Sequence, residues 1–237
     1  MDNEASAHAE PPPIRRQRAV EVFRNRFGVL FDDEVLSPSG GQGRYLRWQW
    51  SHGGVVIVPM GEDGFAFVPT YRYPIGEVSL EFPRGGCEAD EEPAAAAARE
   101  LREETGFDCA PSGLRPLGVI HAETGLIESE VRVFAAEVRR AGPADVLSTA
   151  APEAMESVAE PVWVSRTEVA KWLQSGRVTC GVTLAALSLE GGFGDAVGAA
   201  ADGGAGGWAR ESGERAGAEE IVRREVLSSA SGLHEAG

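Results

Sequence analysis

Three carboxylates, Glu100, Glu103 and Glu104, stand at i, i+3 and i+4 in a stretch composed for a helix. At about 100° per residue they share one helix face. Like charges at this spacing repel, each pair costing about 0.2–0.5 kcal/mol. A divalent cation converts the repulsion into ligation, and hard carboxylate oxygens suit Mg2+ or Mn2+. Ala96 and Ala97 fall on the same face one turn earlier, where small side chains would leave room for a phosphate-bearing substrate, while Ala94, Ala98 and Leu101 point to the core. A Glu-rich face also serves as plain solvated surface, with Arg99 and Arg102 as its ion pairs. The chemistry therefore has to be argued from what surrounds the helix.

The helix is expected over residues 90–105. Asp90 is a candidate N-cap, Glu91 and Glu92 sit at the positive end of the helix dipole, and Pro93 falls in the first turn, where its missing N–H costs little. The alanines favour helix and Gly106 is placed to stop it. Ahead of it, apolar runs over 54–59 and 64–69 flank Gly61-Glu62-Asp63 as a hairpin, and 79–82 reads as a short strand ended by Pro83 and Gly85-Gly86. Alternating segments at 19–23 and 45–48, separated by the Ser37-Pro38-Ser39-Gly40-Gly41 turn, predict a small N-terminal antiparallel sheet. Further strands are expected at 117–121, 131–138 and 161–164, and helices at 167–174 and 182–189. Strands and helices mixed in this way imply a sheet between helices.

The spacing around the acidic helix is specific. Gly85, five residues, Glu91, seven residues and then Arg99-Glu100-Leu101-Arg102-Glu103-Glu104-Thr105-Gly106-Phe107 matches the Nudix box at every fixed position. Nine defined positions in 23 residues seldom agree by chance. The chain thus resembles the Nudix hydrolases. Val68-Pro69-Thr70-Tyr71-Arg72-Tyr73-Pro74 followed by Leu80-Glu81-Phe82-Pro83-Arg84-Gly85-Gly86 is similar to the ADP-ribose pyrophosphatase branch. Ala122 stands near the place where many enzymes of that branch carry a proline.

This resemblance implies an α/β fold, an α/β/α sandwich with a mixed sheet preceded by the small antiparallel sheet. It implies hydrolysis of the diphosphate bond in ADP-ribose or a related nucleoside diphosphate sugar, with Mg2+ as cofactor and Mn2+ as a substitute. Glu100 and Glu104 would be the principal metal ligands, Glu103 a direct or water-mediated one, and the main-chain carbonyl of Arg84 another. Glu91 and Arg99 would orient the glutamates, and Gly85 and Gly106 would serve tight turns. Arg72 would contact the substrate phosphates or ribose, since its fork suits phosphate oxygens. Tyr71 or Tyr73 would stack on the base, and Glu81 is grouped with the substrate-binding set. Glu103 and Glu104 carry the catalytic expectation, together with Glu156 as general base and Glu160 as its alternative. The four histidines form no cluster in sequence. Two other readings share these residues: a Nudix module that senses a nucleotide without cleaving it, and a housecleaning hydrolase of broad specificity.

Composition bounds the partners. With 22 basic and 37 acidic residues the formal charge is −15, which repels a polyanion, so nucleic acid is not an expected partner. Cys87, Cys109 and Cys180 form no disulfide or zinc spacing. The N-terminus has acids where a signal peptide needs basic residues, and no apolar run is long enough to span a bilayer, so a cytoplasmic protein without a membrane partner is expected. The organisation expected is a disordered segment over 1–17, a β-sheet region over 18–52 serving a homodimer as in the resembling branch, a Nudix domain over 53–190 and a low-complexity tail over 191–237.

Overall fold

In the computed structural model, residues 10–139 and 157–191 are described. Strands β1 (Arg15–Arg18), β2 (Glu21–Asn25), β3 (Gly28–Leu36) and β4 (Gln42–Trp50) form an antiparallel sheet in which β3 pairs with the other three. It begins at Arg15, three residues before the boundary read from the sequence. The central strand β3 carries Asp32, Asp33 and Glu34, a composition that masks a strand. Neighbouring strands supply the counter-charges: Arg44 pairs with Asp32 at 2.7 Å, Arg47 with Asp33 at 3.0 Å and Arg18 with Glu34 at 2.5 Å. At the turn, Gly40 takes φ 88°, and the Ser37 hydroxyl accepts from the Gly41 amide.

The second sheet starts from strands β5 (Gly54–Met60) and β6 (Gly64–Arg72), joined by the expected turn, whose Gly61 amide donates to the Gly64 carbonyl at 2.9 Å. They pair only at Met60 and Phe65 and then diverge. Strand β6 takes β7 (Glu77–Glu81) and β11 (Val162–Ser165) as partners. Strand β5 runs antiparallel to β8 (Arg84–Gly86) and parallel to β10 (Glu130–Glu137), and β9 (Arg115–His121) closes the far edge beside β10. The order β11-β6-β5-β10-β9 is therefore a mixed sheet.

Val55 to Val58 form a continuous apolar run because both faces of β5 are covered. Val55 and Ile57 face Ala96, Ala97 and Leu101 of helix α1 (Pro93–Thr105), whereas Val56 and Val58 belong to the cluster holding Trp172 of α2 (Arg166–Gln174) and Val182, Ala186 and Leu187 of α3 (Gly181–Glu190). Period-two alternation thus produces the α/β/α layering. The N-terminal sheet is tied to this body at β4: the Trp48 amide donates to the Leu126 carbonyl, and Arg47 pairs with Glu128.

Two expectations for α1 are corrected. The helix begins at Pro93, with Glu92 as its extended N-cap residue, and Asp90 takes a left-handed φ of 62° in the turn before it. Ala96 and Ala97 are fully buried against the sheet and do not line an open face. Their small size lets α1 approach β5 closely, and that approach carries Glu100, one turn on, down to the sheet.

Phe82, between β7 and β8, is fully buried and stacks on Phe67 at 4.8 Å. Phe82→Ala is expected to lower unfolding free energy by about 3–5 kcal/mol, read from urea midpoints at unchanged m-value.

Candidate active site

The site is built where β7, β8 and the start of α1 meet. Two buried hydrogen bonds fix this stretch: the Phe82 amide donates to Thr183 Oγ1 at 3.1 Å, and the Ile57 amide donates to the Pro83 carbonyl at 2.9 Å. Arg84 and Gly85 then pair with Val56 and Val55 of β5. Gly85 lies in this strand, with no positive φ, and serves contact where a turn was expected. A Cβ there would sit 2.1 Å from both Cδ and Oε1 of Glu100. The Glu100 carboxylate is thus laid against bare backbone, and it is only 8% exposed. Gly106, by contrast, closes α1 in the left-handed region at φ 71°, its amide donating to the Arg102 carbonyl.

Arg99 organises the acids beside this cradle. Its guanidinium donates to Glu91 at 3.1 and 3.2 Å, to Glu100 at 2.8 Å, to Glu103 at 3.0 Å and to the Gly86 carbonyl at 2.9 Å. Glu91 in turn accepts from the Glu88 amide at 2.8 Å. The hydrogen bond from Arg99 holds the Glu91 carboxyl below its usual range, and the Arg99 fork is raised above its own, chiefly by Glu91.

A second charged group lies on β6 and β7. Arg72 grips Glu81 with both arms, Nε to Oε1 at 3.1 Å and Nη2 to Oε2 at 2.7 Å, and Arg84 Nη2 reaches the same Oε2 at 2.8 Å. Glu81 is 2% exposed. Its burial opposes ionisation, but the two guanidinium groups and Ser79 outweigh that and hold its carboxyl below the ordinary range. Arg72 is raised mainly by its bond to Glu81. Arg84, which shares that carboxylate, directly precedes Gly85, against which the Glu100 carboxylate lies, so the acidic face and the Arg72 group are neighbours.

The remaining expected residues spread more widely. Tyr71 is half-exposed and its amide donates to the Ser157 carbonyl, while Tyr73 is 88% exposed. Glu160 is an exposed residue ahead of β11, and Glu156 lies outside the described residues. The reading of the sequence gave Arg84 a role through its carbonyl alone; its side chain, bound to Glu81 three residues earlier, was missed. Behind the loop ahead of α1, a cleft of about 570 Å3 is lined by Trp50, His52, Cys87, Glu91 and Arg132.

Among the described residues, no three metal-ligating side chains are gathered around one point in this conformation, in which Glu100 and Glu103 are turned to Arg99. The residues nevertheless fit a hard divalent cation in two respects. The expected donor set is all oxygen, three carboxylates and the Arg84 carbonyl, and the Gly85 cradle seats one of these carboxylates where a side chain would displace it.

Comparisons with known proteins converge on this region. A family model described as the NUDIX domain matches residues 50–179. The ADP-ribose pyrophosphatase of Mycobacterium tuberculosis is 31% identical over 164 residues, 67% of this chain and 74% of that protein. The ADP-ribose pyrophosphatase of Bacillus subtilis is 29% identical over 119 residues, 49% of this chain and 62% of the relative. The chain spans 48% and 62% of the length of the first curated relatives it matches. A crystal structure of an ADP compounds hydrolase superposes with a TM-score of 0.63 at 20% identity, covering 81% of this chain and 99% of the other, a likeness of fold.

The lowered Glu81 carboxyl has a signed consequence. A carboxylate whose folded pKa is depressed contributes stability that is complete above its unfolded value, about 4.3, and is lost as pH falls through the folded value. Urea midpoints of the wild type should therefore fall on acidification below about pH 4.3. Glu81→Gln should flatten that limb, and parallel limbs in the two proteins would contradict the assignment.

Proposed function

Because this chain belongs to the Nudix family, we propose that it hydrolyses the diphosphate bond of ADP-ribose or a related nucleoside diphosphate sugar, giving a nucleoside monophosphate and a sugar phosphate. The observation that carries the reading is that the helix bearing Glu100, Glu103 and Glu104 lays Glu100 against Gly85, the neighbour of Arg84, which shares Glu81 with the Arg72 guanidinium. One side is suited to cations that bridge a diphosphate and the other to its anionic oxygens. The names of the Mycobacterium and Bacillus relatives support ADP-ribose as the first substrate to try.

Glu100, Glu103 and Glu104, with the Arg84 carbonyl, would hold Mg2+ or Mn2+. When bound, such ions offset the charge of the diphosphate and acidify a coordinated water. The rest is the work of the chain's own groups. Arg99 spaces Glu100 and Glu103 and ties them through Glu91 to the loop ahead of α1. Arg72 presents a planar fork to phosphate or ribose. Glu156 or Glu160 would take the proton from the attacking water; an ionised glutamate suffices for an already acidified one. Tyr71 offers a half-exposed ring for the base.

We assign the N-terminal sheet to a homodimer. Phe23 on β2 lies opposite Leu30, and Leu30 opposite Trp48, so these side chains and those of Leu46 and Trp50 on β4 share one face. Phe23, Leu46 and Trp50 are each about half exposed there. Residues 14–50 hold seven arginines against four acids in a chain of net charge −15, so this basic sheet is complementary to the acidic remainder of a second copy.

With Mg2+ and ADP-ribose, Glu104→Gln and Glu100→Gln are each expected to lower kcat by about 100-fold or more, measured by release of AMP, while circular dichroism stays unchanged. No loss in either variant would remove the catalytic assignment. Light scattering should give twice the chain mass for the wild type and the single-chain mass for the double variant Phe23→Asp, Leu46→Asp.

A further inference from the structure

Glu81 is buried, and two guanidinium groups share one of its oxygens. The Arg72 side chain is 36% exposed and that of Arg84 28%, whereas that of Glu81 is 3%. A single arginine would balance the charge of Glu81. The second makes the group a net cation. The geometry also divides the two partners: Arg72 comes from the end of β6 and makes two hydrogen bonds, and Arg84 comes from the first residue of β8 and makes one ion pair.

We propose that Arg84 is a positioning residue that stays on Glu81 when Arg72 is drawn to a substrate phosphate, so that Arg72 can leave without stranding a buried carboxylate. The inference rests on the diphosphate hydrolase reading and deepens it. A guanidinium held in a two-armed grip by a buried carboxylate is a poor phosphate ligand, because every bond it makes to phosphate is set against one broken to Glu81. Breaking such a pair from one side leaves an uncompensated charge in a low-dielectric site, which is strongly unfavourable. Arg84 Nη2 already lies 2.8 Å from the oxygen that Arg72 Nη2 would vacate. Glu81 therefore keeps a counter-charge after Arg72 turns away. The β8 register, with Arg84 opposite Val56, anchors Arg84 at the main chain while its side chain does this.

The test uses the full-length chain with Mg2+ and ADP-ribose, or the compound from a nucleoside diphosphate panel that the wild type cleaves best. Steady-state kinetics and ligand-free melting are measured for Arg84→Met, Arg84→Lys, Glu81→Gln and the double variant Glu81→Gln, Arg84→Met. Arg84→Met is expected to raise KM about tenfold or more with a smaller change in kcat, since the loss is felt when Arg72 is called away. Its ligand-free melting temperature should stay close to wild type, because Arg72 still neutralises Glu81 in the free protein. Arg84→Lys, which restores the charge, should recover much of the KM. In the double variant no carboxylate is left to strand, so KM should return towards that of Glu81→Gln alone.

An unchanged KM in Arg84→Met would overturn the proposal. So would a KM defect of equal size in the Glu81→Gln background, which would make Arg84 a direct phosphate ligand. A lower melting temperature with wild-type KM would make it merely structural. If the wild type cleaves none of the compounds, the hydrolase reading fails and this inference with it, an outcome distinguishable because it appears before any substitution is made.

Discussion

Carboxylates placed within one turn of a helix repel one another, and the architecture around α1 holds Glu100 and Glu103 against that repulsion. Arg99 does so from within the helix, its five donors spread over Glu91, Glu100, Glu103 and the Gly86 carbonyl. The sheet does so from below, where the alanines of α1 let it descend onto β5 and bare backbone at Gly85 accepts the buried Glu100 carboxylate. The site's shape and its charge therefore have one origin: α1 can come close only because its inner face is small, and only closeness brings its acids to β8.

A second balance of charge faces the first. The Arg72, Glu81 and Arg84 group places net positive charge next to Gly85, on which the net-negative helix rests its Glu100. A substrate with two linked phosphates is well matched to such a pair of fields, and this is why the overall charge of −15 does not forbid an anionic ligand.

The helix, its stop at Gly106 and the order of later strands and helices were legible in the sequence, because each rests on local rules such as periodicity, propensity and a terminating glycine. What escaped was what only register determines. The start of α1 moved to Pro93, since Glu91 is held by Arg99 and the Glu88 amide and Asp90 sits in the left-handed region. Strand β3 was hidden by its acids, whose neutralising arginines are distant in sequence. The hairpin of β5 and β6 was visible, but its opening after a single pair was not. The contact role of Gly85 and the side chain of Arg84 were likewise invisible, because a motif gives residue types and not the partner across the sheet. Of the candidate general bases, Glu156 lies outside the described residues, so the acidic face and the arginine group carry the structural case.

Seated in the Gly85 cradle, Glu100 would give the acidic face an affinity for a divalent cation. Counting free Mn2+ by electron paramagnetic resonance during titration of wild type and Gly85→Ala tests this directly. A methyl group at position 85 must push the Glu100 carboxylate aside, since a Cβ there would lie 2.1 Å from it. Gly85→Ala is expected to stay folded with an Mn2+ affinity lower by about 10-fold or more. Equal affinity in the two proteins would remove Glu100 from the cation site.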